Sequence, residues 1–327
     1  MAHHHDIIVI GASAGGVEAL IQLVQSLPAD LPAAMFIVLH VASGGASVLP
    51  QILTDKGHIP AVHPQSGDSI ENGKIYVAPN DHHLIIDDGV VVLSNGPREN
   101  GFRPAVDSLF RTAANTYGSR VVGVILTGLL DNGSAGLVSV KRQGGIAIVQ
   151  DPEDAMFSSM PESALKVVQA DYVLPLAQIP ETLVKLASTE VTETPKSGDP
   201  SRTDSATTGD KDDIYMKSEG KVTDMVCPEC GGVIVEYHEG INNNLVRFEC
   251  RVGHRYSLQS MLQKQEETVE AALWAAVRSL EENSSLFQRM KQQAYDLNNV
   301  LSAERYAARA QEAEQYADVI RQILLKK

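Results

Sequence analysis

The chain is short of three things, and each shortage removes a class of function. None of its 327 residues belongs to an apolar run approaching the roughly 18 to 20 residues of a membrane span, and Met1 to Asp6 holds no apolar signal-peptide core. A membrane-inserted or exported protein is therefore not expected, and the expected location is the cytoplasm. Basic residues are scarce, 27 Lys and Arg against 41 Asp and Glu, which leaves a formal charge of −14. Such a surface repels phosphate backbones and anionic lipids, so nucleic acid is a poor first guess as a partner. Cysteine is scarcer still: there are three, an odd number, all within residues 227 to 250. That count argues against a disulfide framework and for a metal site.

What is present begins with aliphatic runs. Ile7-Ile-Val-Ile10, Met35-Phe-Ile-Val-Leu39, Lys74-Ile-Tyr-Val-Ala78, Val121-Val-Gly-Val-Ile-Leu126, Ile146-Ala-Ile-Val149 and Tyr172-Val-Leu174 alternate with helical patterns. A half-exposed strand alternates apolar and polar residues, so unbroken runs predict a sheet covered on both faces. The expected fold class is α/β, a doubly wound, mostly parallel sheet over residues 1–185. Leu84-Ile-Ile86 and Val90-Val-Val-Leu93, joined by Asp87-Asp-Gly89, read as a β-hairpin at its margin. The triplet His3, His4 and His5 is given no role.

Residues 186–221 are nearly free of large apolar groups and read as a disordered linker. In 222–257, Cys227-Pro-Glu-Cys230 is followed by Cys250-Arg-Val-Gly-His254. Three thiolates and one imidazole make a full tetrahedral set for Zn²⁺, and four protein ligands leave no open position, which makes the ion structural. Val233-Ile-Val-Glu-Tyr237 and Leu245-Val-Arg-Phe-Glu249 suit the hairpin of a zinc-ribbon-like unit, and His238, mid-connection, is a weaker fourth ligand. Residues 258–327 are helical. Leu262, Val269, Leu273, Ala276, Leu280, Phe287, Met290 and Ala294 form one stripe; Tyr306, Ala310, Ala313, Ala317, Ile320 and Leu324 form a second. These two helices can close as an intramolecular hairpin, or pair between chains as a homo-oligomeric coiled coil.

Three loops carry the chemistry. Gly11-Ala-Ser-Ala-Gly-Gly16 follows the first strand and presents Ser13 on a tight turn, where small residues let a reacting group approach. It lacks the spacing of G-x-G-x-x-G and the G-K-[ST] of phosphate loops, although a structural glycine turn is a live alternative. His40 ends the second core strand, and a right-handed crossover places it on the same carboxyl edge as Ser13. Leu126-Thr-Gly-Leu-Leu-Asp-Asn-Gly133 follows a further strand and brings a third hydrogen-bonding group to that edge. Serine, an imidazole that takes its proton, a group that holds the imidazole tautomer, and N–H donors for an oxyanion are the parts of an acyl-transfer site. A histidine at a strand end is also compatible with a purely structural role.

These motifs, with Tyr76-Val-Ala-Pro-Asn-Asp-His-His-Leu84, Arg103-Pro-Ala-Val-Asp-Ser-Leu-Phe-Arg111, Gly145-Ile-Ala-Ile-Val-Gln-Asp-Pro152 and Met160-Pro-Glu-Ser-Ala164, resemble the CheB-type chemotaxis protein-glutamate methylesterase domain over about residues 6–180. The resemblance implies a carboxylic ester hydrolase that cleaves glutamate γ-methyl esters on methylated chemoreceptors or related signalling proteins, in some relatives with glutamine deamidation, and without a catalytic cofactor. The family's usual receiver domain has no room before Asp6, so a stand-alone version is expected.

Carried over position by position, the nucleophile falls on Ser13 and the base on His40. The family's acid falls on Asn132, with Asp131 one position earlier. Leu129 stands at the family's oxyanion-loop methionine, where a backbone N–H acts, and Ala14 stands where the family commonly has a hydroxyl. His83, Arg103 and Asp107 lie in family motifs, and the two charged ones suggest a buried ion pair beneath the site. His63 and His82 read as loop residues. The amide at the acid position leaves three readings open: Asp131 reaches His40 through a shifted loop, Asn132 supports a weaker reaction, or the site is that of a regulatory binding protein without turnover.

Overall fold

The structure, a computed structural model, describes residues 3–40, 47–191, 220–239 and 245–326. The chain divides into two compact units, 1–261 and 262–327. In chain order the first unit opens with β1 (His3–His4), β2 (Ile7–Ala12), α1 (Gly16–Gln25), β3 (Ala34–Leu39), α2 (Leu49–Lys56), β4 (Ala61–Val62), β5 (Lys74–Val77), β6 (His83–Asp87) and β7 (Val90–Ser94). It continues with α3 (Val106–Tyr117), β8 (Val121–Ile125), α4 (Ser134–Arg142), β9 (Ile146–Gln150), α5 (Ser159–Val167), β10 (Tyr172–Leu174), α6 (Ile179–Ala187) and β11 (Glu190–Val191).

Seven strands form one parallel sheet in the order β10-β9-β8-β2-β3-β5-β4. With β3, β5 and β4 on one side of β2 and β8, β9 and β10 on the other, the sheet is doubly wound and the switch of direction falls at β2. All six residues of β2 and all six of β3 are buried, as strands covered on both faces must be. Leu20, Leu23, Leu53 and Leu183 cover one face from α1, α2 and α6. Leu109, Phe110, Leu137 and Ala164 cover the other from α3, α4 and α5. Helices α3 and α4 cross closely at Gly136, where a β-carbon would lie 2.6 Å from that of Phe110. The hairpin β6-β7 is a separate two-stranded sheet that packs into the second core.

The Cys/His segment supplies β12 (Lys221–Val226), β13 (Val233–Glu239), β14 (Leu245–Cys250) and β15 (Arg255–Ser257), one antiparallel four-stranded sheet in sequence order. Its small core is Cys227, Ile234, Phe248, Cys250, Tyr256 and Met261. It lies in the same compact unit as the parallel sheet.

The expected linker start at 186 needs correction. Helix α6 runs through Ala187, and β11 pairs antiparallel with β1, so that His3 and His4 cap a ribbon to residues 190–191. Residues 192–219 of the expected linker lie outside the described residues.

Helices α7 (Leu258–Asp296) and α8 (Val300–Leu324) close on each other within the chain. Phe287 stacks on Tyr306 with centroids 6.5 Å apart, Arg309 lies over the Phe287 ring, and Arg321 pairs with Glu281. Small residues line the buried seam: Ser284, Ala294, Ala303, Ala310, Ala313 and Ala317, together with Val277. Three residues of the expected first stripe, Leu262, Val269 and Met290, are exposed instead. A two-helix seam is narrower than the stripe that seven-residue spacing sweeps out, and Val277 and Ser284 occupy it.

Candidate active site

The carboxyl ends of three neighbouring strands build the site. Ser13 directly follows β2, His40 directly follows β3, and Thr127 to Gly133 connect β8 to α4. Main-chain bonds lock these loops together: His40 N–H donates to the Ala12 carbonyl (3.1 Å), Ser13 N–H to the Thr127 carbonyl (3.1 Å), and Gly16 N–H to the Ser13 carbonyl (2.9 Å). Gly15 is left-handed, φ 73°, a conformation that lets the chain turn straight into α1. Gly128 must lack a side chain, since a β-carbon there would sit 2.9 Å from that of Ser13. The Thr127 hydroxyl donates to the Ala14 carbonyl (3.1 Å) and accepts from Phe157 N–H (2.9 Å), tying the nucleophile loop to the 151–158 loop.

Ser13 and Ala14 retain accessible surface, and Leu129, Met156 and Phe157 are exposed apolar residues in the loops beside them. The amides of Ala14 and Leu129 make no hydrogen bond among the described residues. Backbone N–H groups left open beside a serine are suited to bind an oxyanion.

His40 is enclosed. Its ring stacks face to face on Phe102, with centroids 4.1 Å apart and planes 3° from parallel. Its Nε2 is buried and has no hydrogen-bond partner among the described residues. Burial pushes the imidazole pKa down from 6.5 to about 4, and a hydrogen bond with the Pro104 carbonyl opposes that only in part.

The two residues at the acid position go elsewhere. Asn132 is buried, and its Oδ1 accepts from Val106 N–H (2.9 Å) and Asp107 N–H (3.4 Å), capping α3, whose own N-cap position is an alanine. Asp131 is partly buried; its Oδ1 has no partner, burial raises its pKa, and Ser257 hydrogen-bonds to it. Neither side chain bonds His40 among the described residues.

The motif residues further out also separate. Arg103 pairs with Asp81 at 2.7 Å and not with Asp107, so the expected ion pair beneath the site does not form. Asp107 is fully enclosed, accepts from Gly136 N–H (2.7 Å) and Asn100 Nδ2 (2.8 Å), and burial raises its pKa. His83 is a satisfied core residue: Nδ1 accepts from Ala105 N–H and Nε2 donates to the Pro97 carbonyl. His63 bridges the Val77 and Ser47 carbonyls, and His82 bonds the Asn80 carbonyl.

Sequence reasoning missed the turn Glu99-Asn-Gly-Phe102. Asn100 (φ 53°) and Gly101 (φ 78°) are both left-handed, and Glu99 and Phe102 exchange both main-chain bonds (3.1 and 2.9 Å), a type I′ hairpin turn. The Asn-Gly dipeptide was the available signal. Glu99 is buried among Arg111 (2.7 Å), Arg255 (3.4 Å) and Arg247 (3.7 Å). Burial alone would raise its pKa, but these guanidinium groups outweigh burial and hold the carboxyl well below the usual range.

In the Cys/His sheet, one ligand atom from each of Cys227, Cys230, Cys250 and His254 lies within 4.8 Å of the others. The edges Cys230–Cys250 (3.6 Å), Cys227–His254 Nδ1 (3.6 Å) and Cys250–His254 Nδ1 (3.4 Å) are those of a tetrahedron with bonds of about 2.0 to 2.3 Å. The three cysteines are free thiols. His254 Nε2 faces Glu229 at 3.3 Å, the carboxylate that commonly fixes the ring of a ligating histidine. His238 lies on the exposed side of β13, paired with Glu236.

A serine on a strand-to-helix turn at the switch point of a doubly wound sheet, with a partly buried imidazole on the adjacent strand end, defines a nucleophile-loop α/β protein. The CheB methylesterase profile matches residues 8–183, and the chain belongs to the CheB methylesterase family. It is 37% identical over 182 residues to a protein-glutamate methylesterase/protein-glutamine glutaminase of Pyrococcus horikoshii, covering 54% of this chain and 50% of that one. A putative protein-glutamate methylesterase/protein-glutamine glutaminase of Leptospira interrogans is 38% identical over 184 residues, 56% of this chain and 95% of its own length. The crystal structure of the Thermotoga maritima CheB methylesterase catalytic domain superimposes with a TM-score of 0.54 at 35% identity, covering 57% of this chain and all of that one. The chain spans about half the length of the Pyrococcus relative and nearly all of the Leptospira one. Among the described residues no helix is long and apolar enough to cross a membrane.

Proposed function

We propose that this chain is a serine carboxylic-ester hydrolase that removes methyl groups from glutamate γ-methyl esters of chemoreceptor-type signalling proteins in the cytoplasm, with glutamine deamidation by the same chemistry. The observation that carries the reading is the main-chain lock of Ser13 and His40 at the switch point, through His40 N–H to Ala12 and Ser13 N–H to Thr127. Ser13 Oγ attacks the γ-carbonyl carbon while His40 Nε2 takes its proton. The amides of Leu129 and Ala14 receive the oxyanion. Methanol leaves with the proton from His40, and a water activated by the same imidazole hydrolyses the acyl-serine to glutamate. With Asn132 committed to capping α3, the group that orients the imidazole is the Pro104 carbonyl. Asp131, next to Ser257, is the alternative.

The Cys227, Cys230, Cys250 and His254 set holds a structural Zn²⁺. The division we propose is a methylesterase domain to about residue 191, a linker, a zinc-ribbon-like module over 222–257 and a helical hairpin from 258. Exposed Leu262, Val269, Val319 and Ile323 on that hairpin suit association between copies, which light scattering on the full chain reads directly.

Incubation with a methyl-esterified chemoreceptor and measurement of methanol tests the reading. Release is expected from the wild type and not from Ser13→Ala. The unpartnered Nε2 and the amide at position 132 favour one second reading, a binding protein without turnover. Under that reading the wild type releases no methanol and Asn132→Asp gains activity.

A further inference from the structure

We propose that Phe102 is a positioning residue for the His40 imidazole, and that the Cys/His module sets its place by gripping the Glu99-Asn100 limb of the turn that carries it. The inference rests on the hydrolase reading and adds to it a residue outside the motif segments that carry the resemblance, the nearest of which begins at Arg103.

The grip has three components. Strand β15 runs parallel to the turn: Asn100 N–H donates to the Arg255 carbonyl (2.6 Å), and Arg255 N–H donates to the Arg98 carbonyl (3.3 Å). Asn100 Oδ1 accepts from Ser257 N–H and from Ser260 Oγ, both at 2.9 Å, while Asn100 Nδ2 donates to Asp107. Glu99 is neutralised by Arg247 and Arg255 from the module as well as by Arg111 from α3. All of these groups are buried or half-buried, so the contact is desolvated and specific in register.

A type I′ turn leaves little freedom between its two limbs. Fixing Glu99 and Asn100 therefore fixes Phe102, two residues further along the chain. The Phe102 ring lies 3° from parallel to the imidazole, which sets the plane in which Nε2 can meet Ser13. It also excludes water from one face of the ring. The ionisation of His40 follows from burial and then from the Pro104 carbonyl; no charged neighbour is among its causes. The module in turn depends on its four ligands, since six buried residues make too small a core to hold it alone. Metal occupancy is thereby coupled to the geometry of the base.

The test uses the full chain with Zn²⁺ and a fluorophosphonate. In this probe Ser13 Oγ displaces fluoride from phosphorus and His40 takes the proton. Phe102→Ala is expected to slow the maximal labelling rate about 10- to 100-fold with little change in the half-saturating probe concentration. Its acid limb should move from near pH 4 towards 6.5, and Phe102→Tyr should restore both. Removing Zn²⁺ with a chelator should reproduce the slowing, strip the Asn100 amide of exchange protection while β2 stays protected, and add nothing to Phe102→Ala; returning Zn²⁺ should reverse it.

An unchanged rate and acid limb in Phe102→Ala overturn the positioning role. Retained protection at Asn100 with an unfolded module overturns the coupling. If wild-type Ser13 never labels, the hydrolase reading fails separately. The His40 ring titration by NMR then decides the contact: a rise in Phe102→Ala supports it, and no change overturns it.

Discussion

At the scale of single residues, His40 and Asn132 depart most from what their positions suggest. His40 stays neutral above about pH 5 because burial holds its pKa at about 4, so Ser13 reactivity should persist well below the range of an ordinary histidine. A labelling profile with an acid limb near 6.5 contradicts this. The sign for stability is the same: the unfolded chain takes up the proton first, near 6.5, and the folded chain only near 4. The stability that His40 contributes is therefore complete above 6.5 and lost as the pH falls to 4, about 3 kcal/mol over the window. Denaturant midpoints of the wild type and His40→Phe across that range measure it. Asn132 was legible as a departure from the family motif but not as a helix cap, because the cap joins residues 26 apart with no local pattern. Asn132→Ala should cost about 1 kcal/mol in chemical denaturation, whereas Asn132→Asp keeps the cap and should cost less.

At the scale of elements, legibility followed burial. Strands β2, β3, β8 and β9 announce themselves because both faces are covered and each reads as unbroken aliphatics. The two-residue strands β1, β4 and β11 carry no periodicity at all, and only their partners define them. The edge shared by Ser13, His40 and the 127–133 loop followed from crossover handedness. The Glu99 cluster was illegible because its partners come from α3 and from two strands about 150 residues later. That cluster makes a sharp prediction. Glu99→Ala leaves three guanidinium groups around an uncompensated site and should destabilise the first unit by about 3 to 5 kcal/mol. Arg255→Ala should cost less, since Arg111 and Arg247 still answer the carboxylate. Because Glu99 titrates well below its unfolded value, its contribution holds above that value and is lost as the pH falls. Urea midpoints of the two variants at pH 7 and at pH 4 test both statements; equal losses in the two variants contradict them.

At the scale of the whole molecule, the chain joins a unit with two large cores to a hairpin whose seam is mostly alanine. The four-stranded sheet joins the first unit through buried polar contacts to 98–107 and through Leu245, which packs against the second core, while its own core is small, so its order is expected to depend on the metal that its ligand set fits. One Zn²⁺ per chain is the expected content by metal analysis. With it, the parallel sheet and the Cys/His sheet should melt in one calorimetric transition, since the buried Glu99 and Asn100 contacts that join them have to break before either part unfolds alone. Without it, amide exchange should show β13 and β14 unprotected at 25 °C, and the remaining α/β transition should move to lower temperature. The hairpin buries its own residues, so the helical ellipticity from α7 and α8 should be nearly unchanged by the chelator. A metal-free chain that melts at the same temperature, with β13 and β14 still protected, means that the module folds on its six-residue core unaided, and the dependence argued from its size is wrong.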